Sequence, residues 1–145
     1  MYQNAYNAYQ KTNINTASQG KLVVLLYEGA VKQLSLAVNY FEADGKILPN
    51  NIERFGNAIQ KAEAIISELE VSLDMEKGGE IARNLMSLYL FFNEELVQAN
   101  INKDKNRILT ILGMLKDLTE SWRTISSSTA NAGAMQTESV LNIQG

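Results

Sequence analysis

Four stretches of this chain repeat apolar residues at the three-and-four spacing of an α-helix, and short polar breaks separate them. The first stretch runs from about Ser18 to Ala43, and the others begin near Asn50, Glu80 and Asp104. Short connections between long amphipathic helices place consecutive helices antiparallel to each other. The pattern therefore predicts an all-α fold, an antiparallel up-down-up-down four-helix bundle.

Each break carries residues that end or begin helices. Asp44-Gly45 suits a left-handed C-cap after the first helix, and Gly78-Gly79 interrupts the pattern before the third. Pro49, the only proline, ends the first break, just before the second helical stretch. The candidate N-caps are Ser18, Asn50 with Glu53 as a capping box, and Asp104.

The two ends of the chain differ in composition from the helical part. Residues 18–126 form the predicted bundle, and residues 127–145 are rich in Ser, Thr, Ala and Asn, which predicts a disordered, flexible tail. Residues 1–17 form a polar N-terminal arm. We expect the arm to dock on the bundle, either permanently or until a partner displaces it, because exposed aromatic side chains are unfavourable in water. Its apolar and aromatic residues include Tyr2, Tyr6, Tyr9 and Ile14.

Helices 1 and 3 are apolar over a wider arc than one bundle seam needs, which predicts a partner surface on both. Gly29 lies inside helix 1 at a cost of about 1 kcal/mol relative to alanine. It indicates either a close helix contact or the floor of a ligand groove. Trp122 occupies a seam position and is expected in the core. The surplus apolar edge comprises Leu22, Leu25, Gly29, Leu36 and Tyr40 on helix 1 and Met86, Leu90, Phe91, Val97 and Ile101 on helix 3.

The residue types that carry most bundle chemistry are missing. The sequence has no histidine, which excludes Glu-x-x-His iron ligands and a phospho-accepting histidine. It has no cysteine, which excludes disulfides and thiolate metal sites. Glu94 and Glu95 diverge by about 100° on a helix, so we interpret them, like Glu68 and Glu70, as a solvated face. We therefore expect a binding protein rather than an enzyme, with no catalytic residue, metal site or cofactor.

Charge and hydropathy argue against two classes of partner, nucleic acids and membranes. A net charge of −3 and a pI near 5.0 argue against a nucleic-acid surface, which needs clustered Lys and Arg. The longest apolar run, Leu22 to Tyr27, is far shorter than the roughly 20 residues of a membrane span. The N-terminus lacks the basic and apolar regions of a signal peptide. We expect a cytoplasmic protein without stable membrane insertion.

Two blocks of residues have the order and spacing of a known family. The first contains Ala8-Tyr9-Gln10, Asn15-Thr16-Ala17 and Leu26-Tyr27-Glu28-Gly29. The second begins at Lys77-Gly78-Gly79-Glu80 and continues through Leu88-Tyr89 and Ala99-Asn100. With Trp122 near the end, this arrangement resembles the FliS family of flagellar secretion chaperones from Ala5 to Trp122.

The resemblance implies a chaperone that binds the disordered C-terminal region of flagellin and prevents premature polymerisation. It implies delivery of flagellin to the export gate of the flagellar type III apparatus. It also implies that flagellin wraps around the bundle and displaces the arm from an apolar groove. The expected partner-binding residues, from the surplus apolar edges and the matched motifs, are Tyr6, Tyr9, Ile14, Leu22, Leu25, Gly29, Met86, Tyr89, Leu90, Val97 and Asn100.

The residues leave a second class of function open. The surplus apolar arc of helix 3 could instead support a homodimer, in a bundle that self-associates or acts as an adaptor without a flagellin client. Sedimentation with and without flagellin separates the two hypotheses, because only a chaperone forms the mixed complex. An enzyme would have to work with carboxylates, tyrosine or lysine alone.

Overall fold

The structure, a computed structural model, describes residues 16–132, with side chains for residues 19–126. The described part is helical apart from its connections, which confirms the predicted all-α class. Predictions for Tyr6, Tyr9, Ile14 and residues 133–145 lie outside the described residues. The helices are Thr16–Asn39 (α1), Ile52–Ser72 (α2), Gly79–Asn102 (α3) and Lys105–Ala132 (α4), with a short 3-10 helix at Pro49–Asn51.

The four helices form a ring in which each packs against the helices before and after it, and α4 closes the ring on α1. Phe41, just after α1, meets Phe55 at the start of α2 edge-to-face, with ring centroids 5.3 Å apart. Arg107, at the start of α4, forms a 2.8 Å salt bridge with Glu95 in the second half of α3. Contacts of this kind join the end of one helix to the start of the next, which confirms the antiparallel up-down-up-down bundle.

The core lies along the bundle axis and takes one stripe from every helix. Burying a large apolar side chain of this kind contributes about 1.5–3 kcal/mol. Trp122 is half-buried and packs against this core, with its ring centroid 6.5 Å from that of Tyr27, which confirms the core position expected for it. Fully buried residues include Tyr27, Ala30 and Leu34 of α1, Phe55, Ile59 and Ile66 of α2, Phe92 and Leu96 of α3, and Ile108, Ile111 and Leu115 of α4.

The connection after α1 differs from the prediction. α1 ends at Asn39, four residues before Ala43, and Asp44-Gly45 is the tip of a later turn rather than a C-cap. Gly45 has a φ of +82°, a conformation that glycine adopts without strain. Asp44 Oδ1 accepts a 2.9 Å hydrogen bond from the Lys46 amide, and this turn closes an isolated antiparallel bridge of Phe41 with Ile47.

Two of the three predicted N-caps are wrong. α1 begins at Thr16, so Ser18 lies inside the first turn. Asn50 lies within the 3-10 helix that leads into α2, so the predicted capping box does not form. The third prediction is confirmed, since Asp104 Oδ1 accepts a 3.3 Å hydrogen bond from the Arg107 amide at the start of α4.

The start of α3 and the end of α4 also differ from the predicted boundaries. Gly79 has a φ of +54° and is the first residue of α3, one residue before the predicted start at Glu80. α4 is helical through Ala132, whereas the predicted bundle ends at residue 126. The tail prediction for residues 133–145 lies outside the described part of the chain.

Residues Gln19–Asn39 of α1 are long and apolar enough to cross a membrane by length and composition alone. The core helix of a soluble bundle passes the same test. Tyr27 and Leu34 are fully buried against the other helices, and Glu28 forms a 2.6 Å salt bridge with Arg123 of α4. We therefore interpret α1 as a core helix of the bundle.

Candidate binding surface

One line of apolar side chains along α3 remains outside the core. Leu90 is 54 % exposed, Val97 42 % and Ile101 67 %. Met86, one turn before Leu90, is half-buried. Successive members of this line are four or seven positions apart and so share one face of the helix. We call Met86, Leu90, Val97 and Ile101 the α3 stripe; it contains three of the sequence-predicted binding residues.

Asn93 fixes the direction in which the α3 stripe points. Its side-chain Nδ2 shares two N–H groups among three acceptors on α2, the Glu63 carbonyl at 3.5 Å, Ser67 Oγ at 3.2 Å and Glu70 Oε2 at 3.2 Å. Leu90 lies three residues before Asn93 and Val97 four residues after it, so both flank the side chain that faces α2. The α3 stripe therefore borders the groove between α2 and α3.

Asn100 lies in the same seam. A Cβ placed on Gly56 of α2 would lie 3.8 Å from Asn100 Oδ1, which is ordinary van der Waals contact. Asn100 is half-buried and adjoins Ile101, the last residue of the α3 stripe. The structure thus brings predicted binding residues Met86, Leu90, Val97 and Asn100 together along one groove.

The predicted residues of α1 form a separate line. Glu28 and Gly20 mark the side of α1 that faces α4, because Glu28 pairs with Arg123 and Gly20 lies against Ser126. The other line lies further round the helix, away from these contacts with α4. Leu25 is 62 % exposed, Leu36 is exposed, and Leu22 and Gly29 are half-buried. We call Leu22, Leu25, Gly29 and Leu36 the α1 stripe.

Tyr89 lies apart from both stripes. It is 1 % exposed, and its hydroxyl is hydrogen-bonded to the hydroxyl of Tyr27 in the centre of the bundle. Burial raises the pKa of Tyr27 to about 12 and raises that of Tyr89 above its usual value. In this structure Tyr89 is a core residue, and a direct contact with a partner would require the core to open.

The carboxylates beside the grooves are less solvated than the sequence indicated. Burial raises the pKa values of Glu63, Glu68 and Glu70 on α2, and for Glu70 the hydrogen bond from Asn93 opposes this effect. Glu68 Oε2 is buried without a hydrogen-bond partner among the described residues. Glu68 and Glu70 are therefore partly buried rather than fully solvated, and Glu70 contacts Asn93 of α3.

Two interhelix contacts were missed by sequence reasoning. Gly20 is buried where α1 crosses α4, and a Cβ there would lie 3.0 Å from Ser126 Oγ. Asn93 links α3 to α2 although its neighbours in sequence suggested only a polar surface position. A glycine inside a helical pattern was the available signal for the first contact. No sequence pattern distinguishes Asn93 from a solvated asparagine.

The exposed apolar side chains of α1 and α3 have the spacing that suits contact with a helical segment. α2 presents exposed polar residues such as Asn57, Gln60 and Lys61. It packs between α1 and α3, each of which carries an exposed apolar stripe. Grooves of this kind accept the apolar face of an amphipathic helix. Among the described residues, no group of three or more His, Asp or Glu side chains could hold a metal ion.

Fold and surface together define an all-helical bundle protein with one exposed apolar stripe on α1 and another on α3. Comparison with known proteins gives the family. The family model for the flagellar protein FliS matches residues 2–129, nearly the whole chain. The chain belongs to the FliS family.

Curated relatives agree with this assignment. A flagellar secretion chaperone FliS of Salmonella typhimurium is 37 % identical over 114 residues, covering 78 % of this chain and 80 % of the relative. Proteins of the same name from Campylobacter jejuni and Bacillus subtilis are 34 % and 33 % identical. These alignments cover 86 % and 83 % of this chain and 92 % and 85 % of the respective relatives.

Proposed function

We propose that this protein is a cytoplasmic export chaperone that binds the disordered C-terminal region of flagellin. It prevents premature polymerisation of flagellin and delivers it to the flagellar type III export apparatus. The observation that supports this most directly is the exposed α3 stripe beside α2, in a chain that belongs to the FliS family. Relatives named flagellar secretion chaperones support the same class of role.

The two apolar stripes account for binding of a segment that is disordered when free. Ordering such a segment costs about 2–5 kcal/mol, so a single short contact leaves little net affinity. Each large apolar side chain transferred from water contributes up to about 1.5–3 kcal/mol, reduced here because the stripe residues are already partly covered. A flagellin segment that crosses the polar face of α2 reaches both stripes and buries more surface than either offers alone.

The N-terminal arm acts as a placeholder in this proposal. Residues 1–15 lie outside the described part of the chain and lead directly into α1, the helix that carries Leu22 and Leu25. While the arm covers a groove, the apparent affinity for flagellin falls by the fraction of time for which the groove is open. The arm thereby protects apolar surface from aggregation until flagellin is available.

The test is a calorimetric titration of the full chain with a flagellin C-terminal peptide. We expect binding by the wild-type protein and at least a tenfold loss in Val97→Asp and Leu25→Asp, because each places a charge in a stripe. The matched control is Leu109→Asp on α4, where the leucine is as exposed as Val97 but lies on neither stripe. An absence of binding by the wild-type chain, or equal losses in all three variants, would contradict the proposal.

Self-association without a flagellin client is the second candidate, since exposed apolar residues on one helix face also suit a second copy. Sedimentation of the chain with and without flagellin distinguishes the two. A chaperone gives a mixed complex, whereas a bundle that only self-associates sediments as the sum of its components.

A further inference from the structure

The face of the bundle formed by α3 and α4 carries apolar side chains that belong to neither stripe. Arg107 of α4 points toward α3, because it forms a 2.8 Å salt bridge with Glu95. Leu118 and Ile125 follow Arg107 by 11 and 18 residues, close to three and five full turns, so they point the same way. Both are half-buried. α4 packs more extensively on α1 than on α3, which leaves this face the more open one.

Ile81 completes this apolar patch from the α3 side. It precedes Glu95 by 14 residues, close to four turns, and so points toward α4. Because the two helices are antiparallel, Ile81 lies level with the residue 14 positions after Arg107, which is Ser121, beside Trp122. Ile81 is 36 % exposed and Trp122 is half-buried. We call Ile81, Leu118, Trp122 and Ile125 the α3–α4 patch.

α4 extends past the start of α3 at this end of the bundle. Gly79 begins α3 16 residues before Glu95, which is level with Arg123 in the same register. α4 continues for nine further residues, to Ala132, or about 14 Å. Gly133 follows directly in the sequence, and glycine in this position commonly allows a chain to reverse after a helix. The sequence therefore provides a turn close to the α3–α4 patch.

We propose that residues 140–143 fold back after this turn and dock on the α3–α4 patch of their own chain. Their sequence is Val-Leu-Asn-Ile, with three large apolar side chains in four positions. Glu138 is the only charged residue in the range 133–145, so little charge opposes burial of the segment. Burial of these side chains against Trp122 and Ile81 removes apolar surface of both partners from water.

The length of chain after α4 suits this docking. Ile125 and Trp122 lie seven and ten residues before the end of α4, about 10 and 15 Å back along the helix. Val140 and Ile143 lie seven and ten residues after Gly133. A helical return covers these distances at about 1.5 Å per residue, and an extended return covers them with chain to spare.

The docked segment leaves both stripes free. The α3 stripe borders α2, whereas Ile81 points toward α4, on another side of the same helix. The proposal therefore does not depend on flagellin binding. Ordering the segment offsets much of the gain from burial, so the docking is reversible.

Trp122 is the only tryptophan, so its fluorescence reports coverage of the patch in the full chain. We expect Leu141→Asp to increase quenching of Trp122 by acrylamide about twofold, because a charged side chain resists burial. Ser139→Asp, the matched control, adds the same charge at a polar position and should leave the quenching unchanged. Circular dichroism checks that both variants remain helical. Equal quenching in the wild type and Leu141→Asp would overturn the proposal. Protection of Trp122 that appears only with a flagellin C-terminal peptide would do the same, by assigning the patch to the client.

Cysteine pairs locate the docked segment, because the chain contains no cysteine. A variant with Ile81→Cys and Val140→Cys is treated with a short bismaleimide at low protein concentration. The control variant combines Lys21→Cys with Val140→Cys, since Lys21 is exposed near the same end of the bundle, next to Gly20, which lies against Ser126. We expect the Ile81 pair to crosslink within one chain about fivefold faster than the control, because docking raises the local concentration of residue 140 at the patch. Equal rates would show that the segment does not dock there, and crosslinks between two chains would assign the patch to a second copy; either result contradicts the proposal.

Discussion

The hydroxyl of Tyr27 on α1 forms a hydrogen bond with the hydroxyl of Tyr89 on α3, in the centre of the bundle. These helices lie diagonally across the ring, so this pair connects two helices that are not packed as neighbours in the described structure. Both side chains are almost completely buried, with ring centroids 6.4 Å apart. A buried hydroxyl is costly without a partner, so each tyrosine satisfies the other.

Removing both hydroxyls should therefore cost less than the two single removals added together. We expect Tyr27→Phe or Tyr89→Phe alone to destabilise the bundle by about 1–3 kcal/mol, because the remaining hydroxyl loses its partner. The double variant should be less destabilised than the sum of the single variants. Denaturant unfolding of all four proteins in a double-mutant cycle measures this difference. Strictly additive effects would show that the two hydroxyls do not depend on each other.

The same pair predicts a loss of stability at alkaline pH. Burial raises the pKa of Tyr27 from 10.0 to about 12, so the folded state holds the proton that the unfolded state releases. The resulting stability is complete below pH 10 and is lost as the pH rises toward 12, by roughly 2–3 kcal/mol. Denaturant unfolding across this pH range checks it. The Tyr27→Phe, Tyr89→Phe double variant should show a shallower decline; an equal decline would assign the effect to other groups.

Gly20 and Gly113 should respond in opposite directions to larger side chains. A Cβ on Gly20 would lie 3.0 Å from Ser126 Oγ and 3.3 Å from Ser126 Cβ, whereas nothing lies within 4 Å of one on Gly113. We expect Gly20→Leu to cost about 1–3 kcal/mol through overpacking. Gly113→Ala should gain up to about 1 kcal/mol of helix propensity. Thermal unfolding compares them, and a stable Gly20→Leu would show that α1 and α4 separate there without cost.

Deletion of residues 1–15 should leave the bundle folded. The described helices begin at Thr16, and among the described residues the buried core cluster extends from Leu26 to Leu115. We expect unchanged helicity per residue by circular dichroism and increased binding of a hydrophobic dye, because the arm no longer covers apolar surface. A deletion variant that loses most of its helicity would show instead that the arm is part of the core.

Local features of the fold were predictable where interactions between residues only a few positions apart decide them. Asp104 caps α4 because its carboxylate needs to reach only the Arg107 amide three residues later. Gly45 adopts a positive φ without strain because glycine has no Cβ. Asn50 was predicted as a cap on the same grounds, but the 3-10 helix after Pro49 moves the start of α2 to Ile52. That choice depends on packing of the whole connection rather than on the capping residues.

The sequence itself determined the helices and the excess apolar arc of α3, because 3.6-residue periodicity fixes the angle between any two side chains on a helix. It also determined the antiparallel order, because the connections between the helices are short. Periodicity does not fix which angle faces the neighbouring helices. Tyr89 and Leu90 were both expected at the binding surface, yet Tyr89 is in the core and Leu90 is exposed beside α2. Only the tertiary structure decided this, because the rotation of α3 depends on Tyr27 and on the α2 groups that bind Asn93, all distant in sequence.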